Sequence, residues 1–462
     1  MHKYVCLLMM IGCGKTTPGT VTETTEPERI LAGPFTGLRV ASSVDLTGDG
    51  APDLIITSPG VQEDNGVFVF SGAVAGSHTQ DAADASILAS EDGDVGDGLA
   101  SCGDMDGDGV PELLVGAPNG QQRKGGAWLI HGPIEGEIET STIPDFSPGL
   151  LPDGLTGSAL TCGADMDEDG LHDMAMSAPD ADGFGIATEA GQVYFMRGTA
   201  AGPAETIGSF STTFSDSHLG WRQALALEND ISGDGIPDMV IGAYGISRVH
   251  MVFGPIAGSY DANTAGPELT GELRDGDGHA VSTGDLNNDG YADIAIGAPF
   301  RDNDYGRVSV VPGPFEDNVE ATIASTAYVV IDGQDPHEQA GWDVKITEDI
   351  DGDGNADLLI GAPGAVTVGT EAGVVYLVYG PGSATDTTLK ADVTFVGDTS
   401  YARFGHSVTD VPDMDGDGGA EVLIGAPYLD TADVIGAGGA FLFYSGLPAR
   451  LEANEADADF IF

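Results

Sequence analysis

The chain has 462 residues, 41% of them hydrophobic, enough apolar material for a sizeable buried core. Its 16 Lys+Arg stand against 74 Asp+Glu, a formal charge of −58 that repels nucleic acid and anionic membrane surfaces. No segment reaches the ~20 apolar residues that a membrane-spanning helix requires.

At the N-terminus, His2 and Lys3 supply positive charge, Tyr4 to Ile11 form a short apolar run, and Met10-Ile11-Gly12-Cys13 closes it. That is the order of an export signal. The closing box resembles that of bacterial lipoproteins, which implies lipid attachment at Cys13 and an exported protein in the bacterial cell envelope, at the outer membrane or the cell surface. A plain secretory signal is the alternative. Residues 14–29 are polar and Thr-rich and read as a flexible tether that cannot build a core. The expected division is a signal at 1–13, a tether at 14–29 and one repeat domain at 30–462.

Seven acidic nonapeptides then recur, and their first aspartates are 59, 61, 65, 55, 64 and 64 residues apart, the mark of a repeat architecture. Each places oxygen-bearing side chains at positions 1, 3, 5 and 9. In order these are Asp45, Thr47, Asp49 and Asp53; Asp104, Asp106, Asp108 and Glu112; Asp165, Asp167, Asp169 and Asp173; Asp230, Ser232, Asp234 and Asp238; Asp285, Asn287, Asp289 and Asp293; Asp349, Asp351, Asp353 and Asp357; Asp413, Asp415, Asp417 and Glu421. Position 6 is Gly in all seven, where the backbone must turn sharply.

A solvated Asp-Gly turn does not require carboxylates at positions 1, 5 and 9 seven times over. Calcium does: it takes six to eight oxygens at about 2.3–2.6 Å in a forgiving geometry, whereas magnesium demands a tighter octahedron and sheds water reluctantly. The expected cofactor is therefore calcium, up to seven ions, with position 9 as the terminal, bidentate ligand. Thr47 and Ser232 predict weaker binding at the first and fourth loops. Seven calcium ions would offset 14 charges and leave −44, and ions held only by the native state add to its stability.

Around each loop the pattern is that of strands. In the sixth copy Asp343 to Thr347 leads in, Leu358 to Pro363 and Gly373 to Gly380 follow, and Ala391 to Gly397 precedes the next copy. Four short strands of β-branched and aromatic residues per unit, without a helical period, predict an all-β, seven-bladed β-propeller of four-stranded antiparallel blades. Closing the ring needs a strand from one terminus. Glu28 to Pro34 and Ala456 to Phe462 are the two candidates.

These repeats resemble the FG-GAP repeat of the integrin α-subunit β-propeller, shared with bacterial surface proteins and the propeller of GPI-specific phospholipase D. The first element stands as Phe404-Gly405 and, degenerate, at Phe35 to Gly37, Leu219-Gly220 and Ala340-Gly341. The second stands at residues 116–118, 297–299, 361–363 and 425–427, with variants at 57–59, 177–179 and 242–244. The resemblance spans residues 30 to 462 and implies the same fold. Integrin propellers carry calcium loops in only some blades, and here all seven are intact; no integrin leg domains follow, so that family's signalling role is not carried over.

Cys102 and Cys162 precede the loops of adjacent repeats at nearly the same register, and read either as a disulfide or as buried free thiols. Without neighbouring histidines they make no zinc set. After the Gly that opens each inner strand come Leu38, Leu99 and Ser158, then Trp221, His279, Trp342 and His406. In the family it resembles, this strand entry lies near the central mouth, on the face opposite the calcium loops, as do the loops carrying Arg123, Lys124, Tyr244, Arg301, Tyr305 and Tyr428. Aromatic and Arg residues favour recognition surfaces. Trp221, His279, Trp342 and His406 are thus the candidate ligand face, or else they merely pack the strand entries.

There is no G-x-S-x-G elbow, H-E-x-x-H, P-loop or Rossmann fingerprint. A non-enzymatic calcium-binding module for adhesion to, or binding of, an extracellular protein or polysaccharide is the expected function. The alternative is a secreted or surface-anchored hydrolase or lyase acting on glycan or phospholipid at the propeller mouth, with His279 or His406 the first residues to test.

Overall fold

The computed structural model describes residues 28–445 apart from 31–34, 60–65, 73–76, 90–93, 120–124, 144–153, 183–187, 199–204, 263–265, 318–319, 368–369, 381–390 and 431–435. The signal, Cys13, Arg123, Lys124 and the segment Ala456 to Phe462 lie outside the described residues.

Seven sheets form, one per repeat, and the chain is an all-β, seven-bladed propeller. The sixth blade shows the unit plainly. Asp343–Ile346, Leu358–Ala362, Val374–Val378 and Val393–Val396 pair antiparallel in chain order, from the inner strand outward. Its second and third strands are buried along their whole length, which is why they read as unbroken apolar runs.

Ring closure uses the N-terminal candidate. Glu28–Ile30 pairs antiparallel with Ala440–Phe443, so the seventh blade takes its next strand from the start of the chain. This strand begins before residue 30, where the sequence pattern placed the domain boundary. A second tie recurs around the ring: Gly136–Glu139, Gly258–Asp261, Glu320–Thr322 and Ser77–His78 each add parallel to the outer strand of the preceding blade. Such an addition covers an edge that would otherwise offer unpaired backbone groups.

The core is divided into seven apolar layers, each between two adjacent blades. The repeat motif follows from how those layers close. A Cβ at Gly361 would sit 2.1 Å from the carbonyl oxygen of Gly405, and one at Gly425 would sit 2.1 Å from that of Gly37. The glycine of the second motif element in one blade thus abuts the glycine of the first element in the next. Gly405 also has φ +85°, a left-handed conformation that L side chains adopt only at a cost.

Cys102 and Cys162 form a disulfide between the inner strands of the second and third blades, with Cα atoms 5.2 Å apart. Both are buried, and of the two readings left open by the sequence the bridge is the one observed. No helix among the described residues is long and apolar enough to cross a membrane.

Candidate metal centres and ligand face

Each acidic loop joins the inner strand of a blade to the second, and its own backbone winds it. In the sixth loop Asp349 Oδ1 accepts from the N–H of Gly352 at 2.7 Å and of Asp353 at 3.0 Å, while Oδ2 accepts from Gly354 at 2.7 Å. Asp353 Oδ1 accepts from Asn355 N–H at 2.9 Å. Gly354 has φ +92°, which explains glycine at position 6. In the second, fourth and seventh loops Asp104, Asp230 and Asp413 likewise accept from the N–H groups of the glycines at positions 4 and 6.

This winding gathers the carboxylates. Ligand-capable oxygens lie within 4.8 Å of one another in four sets: Asp104, Asp106, Asp108 and Glu112; Asp165, Asp167 and Asp173; Asp349, Asp351 and Asp353; Asp413, Asp415 and Glu421. In the other three loops position 3 is Thr47, Ser232 or Asn287, and the hydroxyl or amide bonds within the loop. Thr47 Oγ1 donates to Asp53 Oδ1 at 3.2 Å, Ser232 Oγ to Asp230 Oδ1 at 3.1 Å, and Asn287 Nδ2 to Asp293 Oδ1 at 3.3 Å. Asp45, Asp49, Asp234, Asp285 and Asp289 complete these loops.

A hard cation fits this donor set. Asp45 Oδ1, Glu112 Oε1 and Asn287 Oδ1 are buried acceptors with no donor, and only a cation or a donor would satisfy them. The ninth position, read from the sequence as the terminal, bidentate ligand, is also tied into the fold. Asp53, Glu112, Asp173, Asp238, Asp293, Asp357 and Glu421 are all buried, and their oxygens accept from main-chain N–H groups of the loop or of the segment after the third strand, or from side chains such as Tyr328, which donates to Asp293 Oδ2 at 2.7 Å. Asp357 Oδ2 accepts from Ile350 N–H at 2.8 Å and Oδ1 from Gly380 N–H at 2.8 Å. Burial, the largest influence, pushes Asp357 and Glu421 up to about 7 and Asp173, Asp238 and Asp293 up to about 6.

Sequence reasoning missed the residue that follows the third strand. In the third loop Arg197 reaches Asp167 through Nη2 at 2.5 Å and Asp169 through Nε at 3.0 Å, so a guanidinium compensates charges that the sequence assigned to a cation. In the second loop His131 Nδ1 lies 3.1 Å from Asp106. Ser71 takes the same place and reaches Asp49, while in the seventh blade Ser445, one residue further on, reaches Asp417. The signal was a recurring position 18, 19 and 24 residues after Asp53, Glu112 and Asp173, and its varied chemistry hid it.

At the opposite end of the inner strands, the predicted face assembles into one belt. Trp221 meets Tyr244 at 6.0 Å between centroids, Tyr244 meets His279 at 5.6 Å, His279 meets Trp342 at 4.7 Å, and Trp342 meets His406 at 5.5 Å. Phe300 and His218 join it, the latter stacked on Tyr244. His279 and His406 are 2% exposed, and their Nδ1 atoms face the carbonyl oxygens of Trp342 at 3.0 Å and Leu38 at 3.3 Å. Burial drives His279 down to about 3 and lowers His406 as well, so both rings are neutral packing elements. Trp221 and Trp342 stay half-buried. Arg301 is engaged by Asp275 at 2.6 Å, and Tyr428 packs on Phe35 and under Arg403.

One register is corrected. The N–H of Gly96 donates to the Gly116 oxygen as that of Gly278 does to Gly297 and that of Gly220 to Gly242, so the opening glycine of the second blade is Gly96 and the residue after it is Asp97, not Leu99. Asp97 stands seven residues before Asp104, the same spacing as Leu38 to Asp45 and His406 to Asp413.

The FG-GAP repeat model matches residues 95–130, 278–311 and 340–378. The chain fits the FG-GAP, integrin α-like β-propeller family. Human phosphatidylinositol-glycan-specific phospholipase D is 28% identical over 253 residues, which cover 50% of this chain and 29% of that protein. Chicken integrin alpha-V is 29% identical over 236 residues, 48% of this chain and 21% of the relative; mouse integrin alpha-IIb is 34% identical over 158 residues, 32% and 14%. The matched part of this chain thus spans less than a third of each of these relatives.

Proposed function

We propose that this chain is a calcium-binding propeller of the cell surface, exported and lipid-anchored through Cys13 in a bacterial envelope, that serves as a binding or adhesion module for an extracellular protein or glycan. The observation that carries the reading is the division of labour along the inner strands: self-wound acidic loops at one end, and at the other a belt of rings contributed by the fourth to seventh blades. Calcium stabilises the ring, and the half-buried faces of Trp221 and Trp342 receive the ligand, as aromatic anchors do at recognition surfaces. The relatives named integrin agree with an adhesive role.

The alternative, a hydrolase acting on glycan or phospholipid, draws on the phospholipase D relatives. Two observations weigh against it: the match covers 29% of the human protein, and the two mouth histidines are buried, neutral and committed to carbonyl groups. The test is a panel of polysaccharides, extracellular proteins and phospholipid vesicles, offered in calcium to the wild type and to the double variant W221A/W342A. The module reading expects retention of a glycan or protein without product release, lost in a variant that still melts cooperatively. Turnover without added cofactor supports the enzyme; unchanged retention by the double variant removes the belt from the site.

A further inference from the structure

The central channel holds two arginines in a chain with only 16 Lys+Arg. Arg39, at the start of the first inner strand, is 5% exposed. Its Nε donates to the main-chain oxygen of Asp97 at 2.9 Å, yet Nη1 and Nη2 are both buried without a partner. Arg222, from the fourth blade, lines the same cavity, and among the described residues it forms no ion pair. Beside it Gln223 has its amide nitrogen and its amide oxygen both buried and unpartnered.

Leaving a buried donor unsatisfied costs about 1–3 kcal/mol, and more when it is charged. The nearby Asp343 offsets part of the charge but makes no hydrogen bond to these groups; its oxygens accept from the N–H of Val344 at 3.0 Å and Val408 at 2.9 Å. Burial, then the charge of Arg222, pushes Arg39 down to about 10. An anion between the two guanidinium groups would relieve that repulsion.

We propose that the channel mouth is a carboxylate-binding site, in which the guanidinium fork of Arg39 and the charge of Arg222 hold the carboxylate of a sugar acid while the Gln223 amide meets a neighbouring hydroxyl. The planar fork matches a carboxylate in a bidentate manner. An amide that offers one donor and one acceptor suits a hydroxyl, which is both. A cavity of about 170 Å³ accommodates one acidic ring end and not a polymer. The strongly negative chain favours a ligand with a single charge over a polyanion. The proposal rests on the reading of this mouth as the ligand face and names the ligand chemistry there.

The experiment is calorimetric titration of the full chain, in calcium, with glucuronate, glucose and N-acetyl-aspartate amide. Glucuronate binds, glucose does not, and R222Q, a partly exposed position that leaves the fold intact, weakens glucuronate about tenfold or more, the equivalent of 1.4 kcal/mol. R39Q abolishes binding if it folds; R222Q keeps the test decisive if it does not. Equal heats for glucuronate and glucose, or an unchanged R222Q, mean that channel water satisfies the arginines and overturn the site. Tighter binding of the aspartate derivative overturns the sugar assignment. Loss of glucuronate binding with the panel ligand still retained removes this site alone, whereas glucuronate binding without any panel ligand removes the module reading and leaves the site.

Discussion

The two ends of the inner strands solve opposite problems. At the loop end a blade draws its carboxylates from nine consecutive residues of its own, gathered into a cluster in the second, third, sixth and seventh loops and positioned by hydrogen bonds of their own backbone. At the mouth no blade completes anything: Trp221, Tyr244, His279, Trp342 and His406 come one or two per blade and have meaning only as neighbours in the closed ring. The loop end is therefore modular and tuned loop by loop. The mouth is collective, and a change in one blade is felt by the next.

That difference predicts separable responses. At the mouth, Trp342→Ala removes a ring packed on His279, His406 and Phe300, and lowers stability by about 2–4 kcal/mol, below or within the range for fully buried Trp. The loss is the same in calcium and in chelator, as denaturant melts would show. In the loops, Asp357→Asn removes one site; with calcium at about 10–100 times the dissociation constant, the calcium-dependent part of stability falls by about 1.4–2.7 kcal/mol. A mouth variant whose loss depends on calcium would merge the two regions.

The pH response sharpens the contrast. The ninth-position carboxyls are raised by burial, to about 7 at Asp357 and Glu421, so their protonated form favours the metal-free fold. That stabilisation is present below the ordinary carboxylate range and is lost as pH rises through about 7. In chelator, melting temperature should fall between pH 5 and 8; in calcium, which needs the ionised form, the gain from the ion should grow over the same window. The smallest effect is expected at the third loop. Arg197→Ala frees Asp167 and Asp169 from the guanidinium and should raise calcium affinity there several-fold, read by titration of single-loop variants.

Legibility followed the same line. The blades, their number and the acidic loops were plain in the sequence because each is local: a run such as Leu358–Ala362 shows its burial in its own letters. Ring closure by Glu28–Ile30 and the Cys102–Cys162 bridge were reduced to two choices each, since pairing between distant segments leaves no local trace. Asp97 was misassigned because the second blade has two glycines at the strand entry, and Gly98 rather than Gly96 was read as the one that opens it. Arg197 and His131 escaped notice because they reach their loops from the end of another strand. Arg39 carries no motif, and only its orphaned nitrogens in the channel set it apart.

The most direct measurement of the central claim is thermal melting of the metal-stripped chain during calcium titration, with bound calcium counted by elemental analysis. The account predicts a large, saturable and chelator-reversible rise in melting temperature, with several ions bound per chain and no equal effect from magnesium. An identical melt with and without chelator, together with no calcium in the untreated protein, would contradict it.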